Sequence, residues 1–169
     1  MSLQALEVKK LPAELFQAFA TRDALLTAGD RTGCNTMTIG WCQLGRIWGK
    51  LNCTVLVRPE RYTYQFMEQS RYFTVSLLPR DAKEALALCG SKSGREVDKI
   101  RECGLTVRYG AGDAPFFEEA EMVLVCEKIY TQDVKEENVL NRDIIMPYYG
   151  EYGDFHRIYT GRIVEAYMK

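Results

Sequence analysis

Apolar positions along the chain gather in seven stretches where β-branched and aromatic residues lie between turn signals, the pattern of strands. They are residues 24–29 (ALLTAG), 36–41 (TMTIGW), 52–58 (NCTVLVR), 72–78 (YFTVSLL), 105–110 (LTVRYG), 121–132 (EMVLVCEKIYTQ) and 157–168 (RIYTGRIVEAYM). Most carry apolar residues on both faces instead of alternating with polar ones, so both faces are expected to be covered, as in a barrel with a buried outer surface. Three segments carry helical spacing. Residues 62–70 bring Tyr62 toward Phe66 and Tyr64 toward Met67, and 82–89 align Ala82, Ala85 and Leu86 on one stripe. Residues 95–103 put Val97, Ile100 and Cys103 near one face before Gly104, a natural helix-ending residue. Runs of strands with helices inserted mid-chain, and no βαβ rhythm, predict a mainly β fold: an antiparallel Greek-key or split barrel with a few accessory helices. Neither a linker nor an internal repeat interrupts residues 1–169, so a single domain is expected.

Composition narrows the function classes. The chain is 47% hydrophobic and 27% charged with a formal net charge of −1, and its basic residues are scattered. Neither a nucleic-acid partner nor a polybasic membrane contact is expected from that balance. The N-terminal residues lack the apolar core of a secretory signal, and no apolar run approaches the roughly 18 residues of a membrane span. A cytoplasmic location is the expectation. Cys34, Cys42, Cys53, Cys89, Cys103 and Cys126 are widely spaced and accompanied by a single histidine, so reduced thiols are expected and a metal site is not.

Four segments carry candidate chemistry. In CGSKSGREVDK (89–99), Ser93 and Glu96 have capping-box spacing, which explains the motif as a helix start. Gly90 and Gly94 with Ser91, Lys92 and Arg95 also suit an anion-binding nest, and both readings stand at this level. In residues 33–50, Asn35, Thr36 and Thr38 offer hydrogen bonds ahead of Trp41, Trp48 and three glycines. A planar ligand between small and aromatic residues is one reading; a strand, a glycine turn and tryptophans in core or dimer contacts is the other. In LVRPERYT (56–63), Pro59 ends a strand, Thr63 has the position of a helix cap, and Arg58 and Arg61 are either anion contacts or solvated charges. His156, beside Asp154, is a candidate proton donor or an ordinary loop residue; no triad can be assembled around it. Glu118 and Glu119 read as a solvated turn.

Taken together, NTMTIGW, GRIWGK, VLVRPERYTYQFME, YFTVSLL, CGSKSGREVDK and DFHRIYTGRIVEA resemble, in order, the flavin reductase-like family of FMN-binding split barrels, especially its flavoredoxin-type members. The likeness runs from about residue 22 to the C-terminus. It implies a homodimer of split barrels with FMN, in preference to FAD, near the dimer interface. It further implies that Asn35, Met37, Thr38 and Trp41 line the isoalloxazine, that Asn52, Cys53, Thr54 and Val55 present backbone to it, and that Arg58, Ser91, Lys92 and Ser93 contact phosphate or ribityl groups. The implied activity is an FMN-dependent oxidoreductase taking hydride from NAD(P)H. The alternative is a flavoredoxin-like electron carrier reduced by a redox protein partner, without a pyridine-nucleotide site. The chain departs from the family pattern in Phe155, inserted between Asp154 and His156, and in Arg162, where the family carries an acid. Flavin chemistry belongs to the cofactor, so the absence of an acid–base constellation accords with this resemblance.

Overall fold

The computed structural model describes residues 2–150 and 153–169. Its strands are β1 (Gln4–Leu6), β2 (Ala24–Asp30), β3 (Gly33–Ile39), β4 (Cys42–Ile47), β5 (Lys50–Val57), β6 (Tyr72–Leu77), β7 (Val107–Tyr109), β8 (Pro115–Phe117), β9 (Met122–Asp133) and β10 (Arg157–Met168). The helices are α1 (Glu14–Thr21), α2 (Tyr62–Gln69), α3 (Lys83–Ser91), α4 (Lys99–Glu102) and α5 (Arg142–Ile145). The main sheet is antiparallel in the order β3-β2-β6-β9-β10-β5-β4, with β1 added to the far half of β10, while β7 and β8 pair separately.

One connection shapes this sheet. β3 and β4 stand at opposite ends of the hydrogen-bonded path, yet only Gly40 and Trp41 join them. Three Cα steps reach no further than roughly 11 Å. The sheet therefore curls until its two ends nearly meet, and β3 and β4 remain unpaired across the seam. The result is a split barrel.

Both faces of the sheet are buried over β2, β6 and the first half of β9, as their unbroken apolar runs predict. Leu26, Val55, Val57, Phe73, Val75, Leu124 and Tyr159 fill the barrel interior. Leu25, Val123 and Val125 point outward and pack with Cys89, Phe116 and Phe117 beneath α3, α4 and β8. Gly161 on β10 is required for this interior, because a Cβ there would stand 2.7 Å from both Cys126 Cβ and the Phe73 ring. All six cysteines are free.

Several expectations need correction. The helix read over 95–103 is confined to Lys99–Glu102, and Asp98 caps it by accepting the Arg101 N–H at 3.1 Å. The Ser93–Glu96 capping box does not form. Ser93 Oγ instead accepts from Arg95 N–H at 3.2 Å, and the Glu96 N–H goes to the Ser93 carbonyl, so residues 93–96 are a turn. Thr63 does not cap α2; Arg61 holds that position, and the buried Thr63 hydroxyl accepts from Asn35 Nδ2 at 2.7 Å. Trp41 lies outside the strand predicted over 36–41, in the seam connection. The glycine turn read behind it contains a whole strand, β4, largely exposed because it is a sheet edge.

Helix α1 was not anticipated: only Leu15 is buried, so its apolar period is short. The stop at Gly104 holds, with φ +62°.

The relocated cap has a direct consequence. Asp98→Ala is expected to destabilise the fold by about 1 kcal/mol in denaturant titration, whereas Glu96→Ala leaves the midpoint nearly unchanged. The reverse order would restore the capping box.

Candidate functional site

The seam between β3 and β4 opens into a groove of about 280 Å³ lined by Met37, Thr38, Ile39, Gly40, Trp41, Leu56, Arg58, Arg61, Gly90, Tyr148 and His156. Met37 and Ile39 come from β3 and Leu56 from β5, so the floor is apolar and belongs to both strand ends.

On the β3 side, α3 lies against the sheet edge. The Thr38 hydroxyl donates to the Leu86 carbonyl at 2.6 Å, and Gly90 sits over Thr38, where a Cβ would come within 3.4 Å of Thr38 Cβ. The loop after α3 is pressed still closer. At Gly94 any Cβ would collide with Asn35 Oδ1 and come within 2.8 Å of the Tyr62 ring. Cations hold this loop: Arg61 Nη2 donates to the Gly90 carbonyl at 2.7 Å, and Arg95 stacks 4.8 Å from the Tyr62 ring centroid while donating to the Glu60 carbonyl. Beneath it lies Lys99, only 4% exposed, whose Nζ donates to the Thr36 and Cys89 carbonyls at 3.0 and 2.9 Å. Those partners are carbonyls, so the positive charge is solvated by dipoles rather than neutralised. Burial holds its ammonium below the usual lysine range.

On the β4 side the wall is aromatic. Trp41 packs edge-on against Tyr148 with centroids 5.1 Å apart and lies 4.9 Å from the His156 ring. His156 Nδ1 and the Tyr149 hydroxyl are 3.0 Å apart. Burial, followed by the nearby Arg58 charge, pushes the imidazole down to about 4, so it is neutral at pH 7. Arg58 itself is engaged: Nη1 reaches Asp154 Oδ2 at 3.2 Å and Nη2 donates to the Tyr148 carbonyl at 2.6 Å. Burial, then a hydrogen bond to Asp154, raises the Glu60 carboxyl at this rim.

Of the residues singled out in the sequence, Met37, Thr38, Trp41, Arg58, Arg61, Gly90 and His156 meet in this groove. Ser91 and Lys92 are exposed beside it; Ser91 Oγ is turned back to the Ala87 carbonyl at 2.8 Å, and Ser93 is half-buried in the turn. Asn35 is buried behind β3 on Thr63. Cys53 and Val55 face the barrel interior, because inward and outward positions alternate along β5.

Asn52 and Thr54 face outward but line a different cavity, of about 490 Å³, shared with Phe16, Phe19 and β4. There Asn52 Nδ2 binds the hairpin carbonyls of Ile47 and Lys50, and its buried Oδ1 has no partner. Sequence reasoning missed Lys99, Leu56, Tyr148 and Tyr149. Lys99 is the last residue of the CGSKSGREVDK segment that also carries the anion-nest reading, and that position was the available signal. Among the described residues no group of three or more His, Cys, Asp or Glu side chains converges on a metal-sized site, and no helix is long and apolar enough to cross a membrane.

Residues 16–169 match the flavin reductase like domain. The chain belongs to that family. Among solved structures, flavoredoxin from Methanosarcina acetivorans superposes with a TM-score of 0.70 at 22% identity, covering 87% of this chain and 68% of that one. An FMN-binding domain of a flavin reductases-like enzyme from Shewanella baltica OS155 gives 0.70 at 20% identity, covering 98% and 76%. Flavoredoxin of Desulfovibrio vulgaris (Miyazaki F) gives 0.68 at 21% identity, covering 98% and 76%. At such identities the likeness establishes the fold, the split barrel of these relatives. No curated protein matches the chain.

The neutral His156 makes stability depend on acid. The native imidazole takes up its proton only near pH 4, whereas the unfolded chain binds one below its ordinary value of 6.5. Stability is therefore expected to fall as pH drops from 6.5 toward 4, by on the order of 1–3 kcal/mol, and to level off below. Urea unfolding across that range checks it, and His156→Gln should remove most of this component of the slope.

Proposed function

We propose that the chain binds FMN in the seam groove and works as a flavin-dependent oxidoreductase that accepts hydride from NAD(P)H and passes electrons to an acceptor. The observation that carries this reading is the polarity of the groove in a member of the flavin reductase-like family. Its lining is apolar along β3 and β5, one end is cationic, and the other is aromatic with its one lining arginine, Arg58, paired to Asp154.

The residues present fit such a group. Met37, Ile39 and Leu56 give the groove apolar lining for a fused ring, and Gly90, lacking a side chain, leaves the approach over Thr38 open. Arg61, Lys92 and the buried Lys99 supply positive charge where a phosphate would end, which favours FMN over an uncharged flavin. Thr38 and Arg58 line the groove and also brace it. Thr38 fixes α3 against β3, and Arg58 holds the segment bearing Tyr148 and Asp154 against the barrel. The flavin, when bound, supplies two-electron and one-electron transfer. The chain orients it, excludes water with Trp41 and Tyr148, and keeps a neutral imidazole at the wall.

The same reading includes a homodimer and a cytoplasmic setting suited to free thiols. Trp48 supports the dimer. It is 63% exposed at the tip of the β4–β5 hairpin, packs at a tilt with its ring centroid 5.6 Å from that of Tyr130, and adjoins the exposed Ile47. It also adopts φ +52°, a left-handed conformation unfavourable for a bulky side chain. An exposed, strained tryptophan suits an interface anchor. The alternative, an electron carrier reduced by a protein partner, differs in lacking a nucleotide-driven reduction.

Three outcomes test these statements. The purified protein is expected to be yellow or to take up FMN, with Lys92→Ala and Arg61→Ala weakening FMN roughly tenfold and riboflavin little; equal weakening of both ligands would count against a phosphate subsite. Anaerobic NADH or NADPH is expected to bleach the bound flavin, and failure of both selects the carrier. Trp48→Asn should relieve the backbone strain, since asparagine tolerates positive φ, yet shift the protein toward monomer in sedimentation. An unchanged dimer would take Trp48 out of the interface.

A further inference from the structure

We propose that Cys89 and Cys103 are a peroxide-sensitive dithiol, forming a reversible disulfide that cross-links α3 to α4 at the base of the loop bordering the groove. The two Sγ atoms are 3.9 Å apart. Cys89 is fully buried in the last turn of α3, and Cys103 follows the last turn of α4 and is partly exposed.

The register between the helices is held at two points one helical turn apart. Lys99 Nζ grips the Cys89 carbonyl at 2.9 Å, and Cys103 Sγ lies 3.8 Å from the carbonyl of Ala85, one turn before Cys89. The thiols thus face each other across a fixed contact. Reaching a disulfide bond of about 2.05 Å takes a movement of roughly 2 Å, within the range of side-chain rotation and small helix shifts.

The order of events follows from exposure. Burial pushes the Cys89 thiol up to about 12, and the neighbouring Cys103 adds to that, so the accessible Cys103 meets the oxidant first. Its sulfur attacks one oxygen of hydrogen peroxide and the O–O bond breaks. The thiol proton leaves with the departing oxygen as water, and Cys103 becomes a sulfenic acid. Cys89 sulfur then displaces that hydroxyl, the S–S bond forms, and a second water carries off the Cys89 proton. Two thiols lose two electrons, and one peroxide becomes two waters.

The other close pair, Cys42 and Cys53, is 3.5 Å apart, with Cys53 fully buried in the barrel and Cys42 half-buried on the edge strand β4. Their mutual hydrogen bond, then burial, pushes the Cys42 thiol up, and a bond to Cys126 does the same at Cys53.

The cross-link would tie the two ends of residues 90–102, which carry Lys92, Ser93 and Gly94. Its effect on ligand binding rests on the FMN reading above; the cross-link itself does not.

The test is hydrogen peroxide added to the protein with and without FMN. The expected product is two hydrogens lighter in intact mass. Digestion gives one peptide pair joining Cys89 to Cys103, which dithiothreitol separates. Amide hydrogen exchange across residues 90–98 slows in the oxidised form. Cys89→Ser should leave Cys103 as a sulfenic acid trapped by dimedone. Wild-type protein in which Cys103 proceeds to sulfinic acid without a cross-link, or in which other cysteines pair instead, overturns the proposal. A cross-linked protein that never binds FMN sinks the cofactor reading alone, and a protein that binds FMN without forming the cross-link sinks this one alone.

Discussion

The reach of two residues governs this molecule. Gly40 and Trp41 connect strands at opposite ends of the hydrogen-bonded path, and that short tether obliges the sheet to roll up without letting its ends pair. A barrel so closed keeps a seam with free strand edges on either side, and exposed edges must be covered or used. α3 and the loop behind it cover the β3 edge through Thr38, Gly94 and Lys99. What stays open between β3 and β5 is the groove. Site and fold thus have one origin, and loosening the α3 contact would affect both.

Burying a lysine without a carboxylate is expensive unless its donors are satisfied. Two carbonyls meet that need for Lys99, and both belong to segments that must stay together: Thr36 on β3 and Cys89 at the end of α3. The same charge therefore fastens the helix to the strand and gives the nearby loop a positive field in a low-dielectric setting, where it is least screened. A surface lysine in its place would lose most of that field to solvent. The arrangement explains how a chain with a net charge of −1 can hold a strongly cationic corner.

Much of the fold was legible in the strands, because residues such as Leu25 and Leu26, or Val123 and Leu124, are both buried on opposite faces and leave an unbroken apolar run. β4 was not. Gly45, Arg46 and their neighbours face solvent at an edge, so neither composition nor alternation marks them. The capping box failed for a related reason. Spacing allowed Ser93 and Glu96 to start a helix, but Gly94 is pinned against Asn35 and Tyr62, and that tertiary contact holds the segment in a turn until Asp98. Within the site, residues on β3 and its connection were readable because one local motif carries them. Tyr148 reaches the groove, and Tyr149 and Lys99 support its walls from behind, through long-range packing that no local pattern encodes.

The two walls differ because they come from different parts of the chain. The cationic groups at the loop, Arg61, Lys92, Arg95 and Lys99, come from the residue before α2, the α3–α4 connection and the start of α4, all on the β3 side. Trp41, Tyr148 and His156 come from the seam link and the segment before β10. The one arginine on that side, Arg58, has its charge offset by Asp154, and the histidine is held neutral. A ligand entering the groove meets a gradient from charge to apolar surface within one cavity. An amphiphile with an anionic tail and a planar body, bound there as proposed, would satisfy both ends in only one orientation, so the topology that forms the seam would also set the direction of binding.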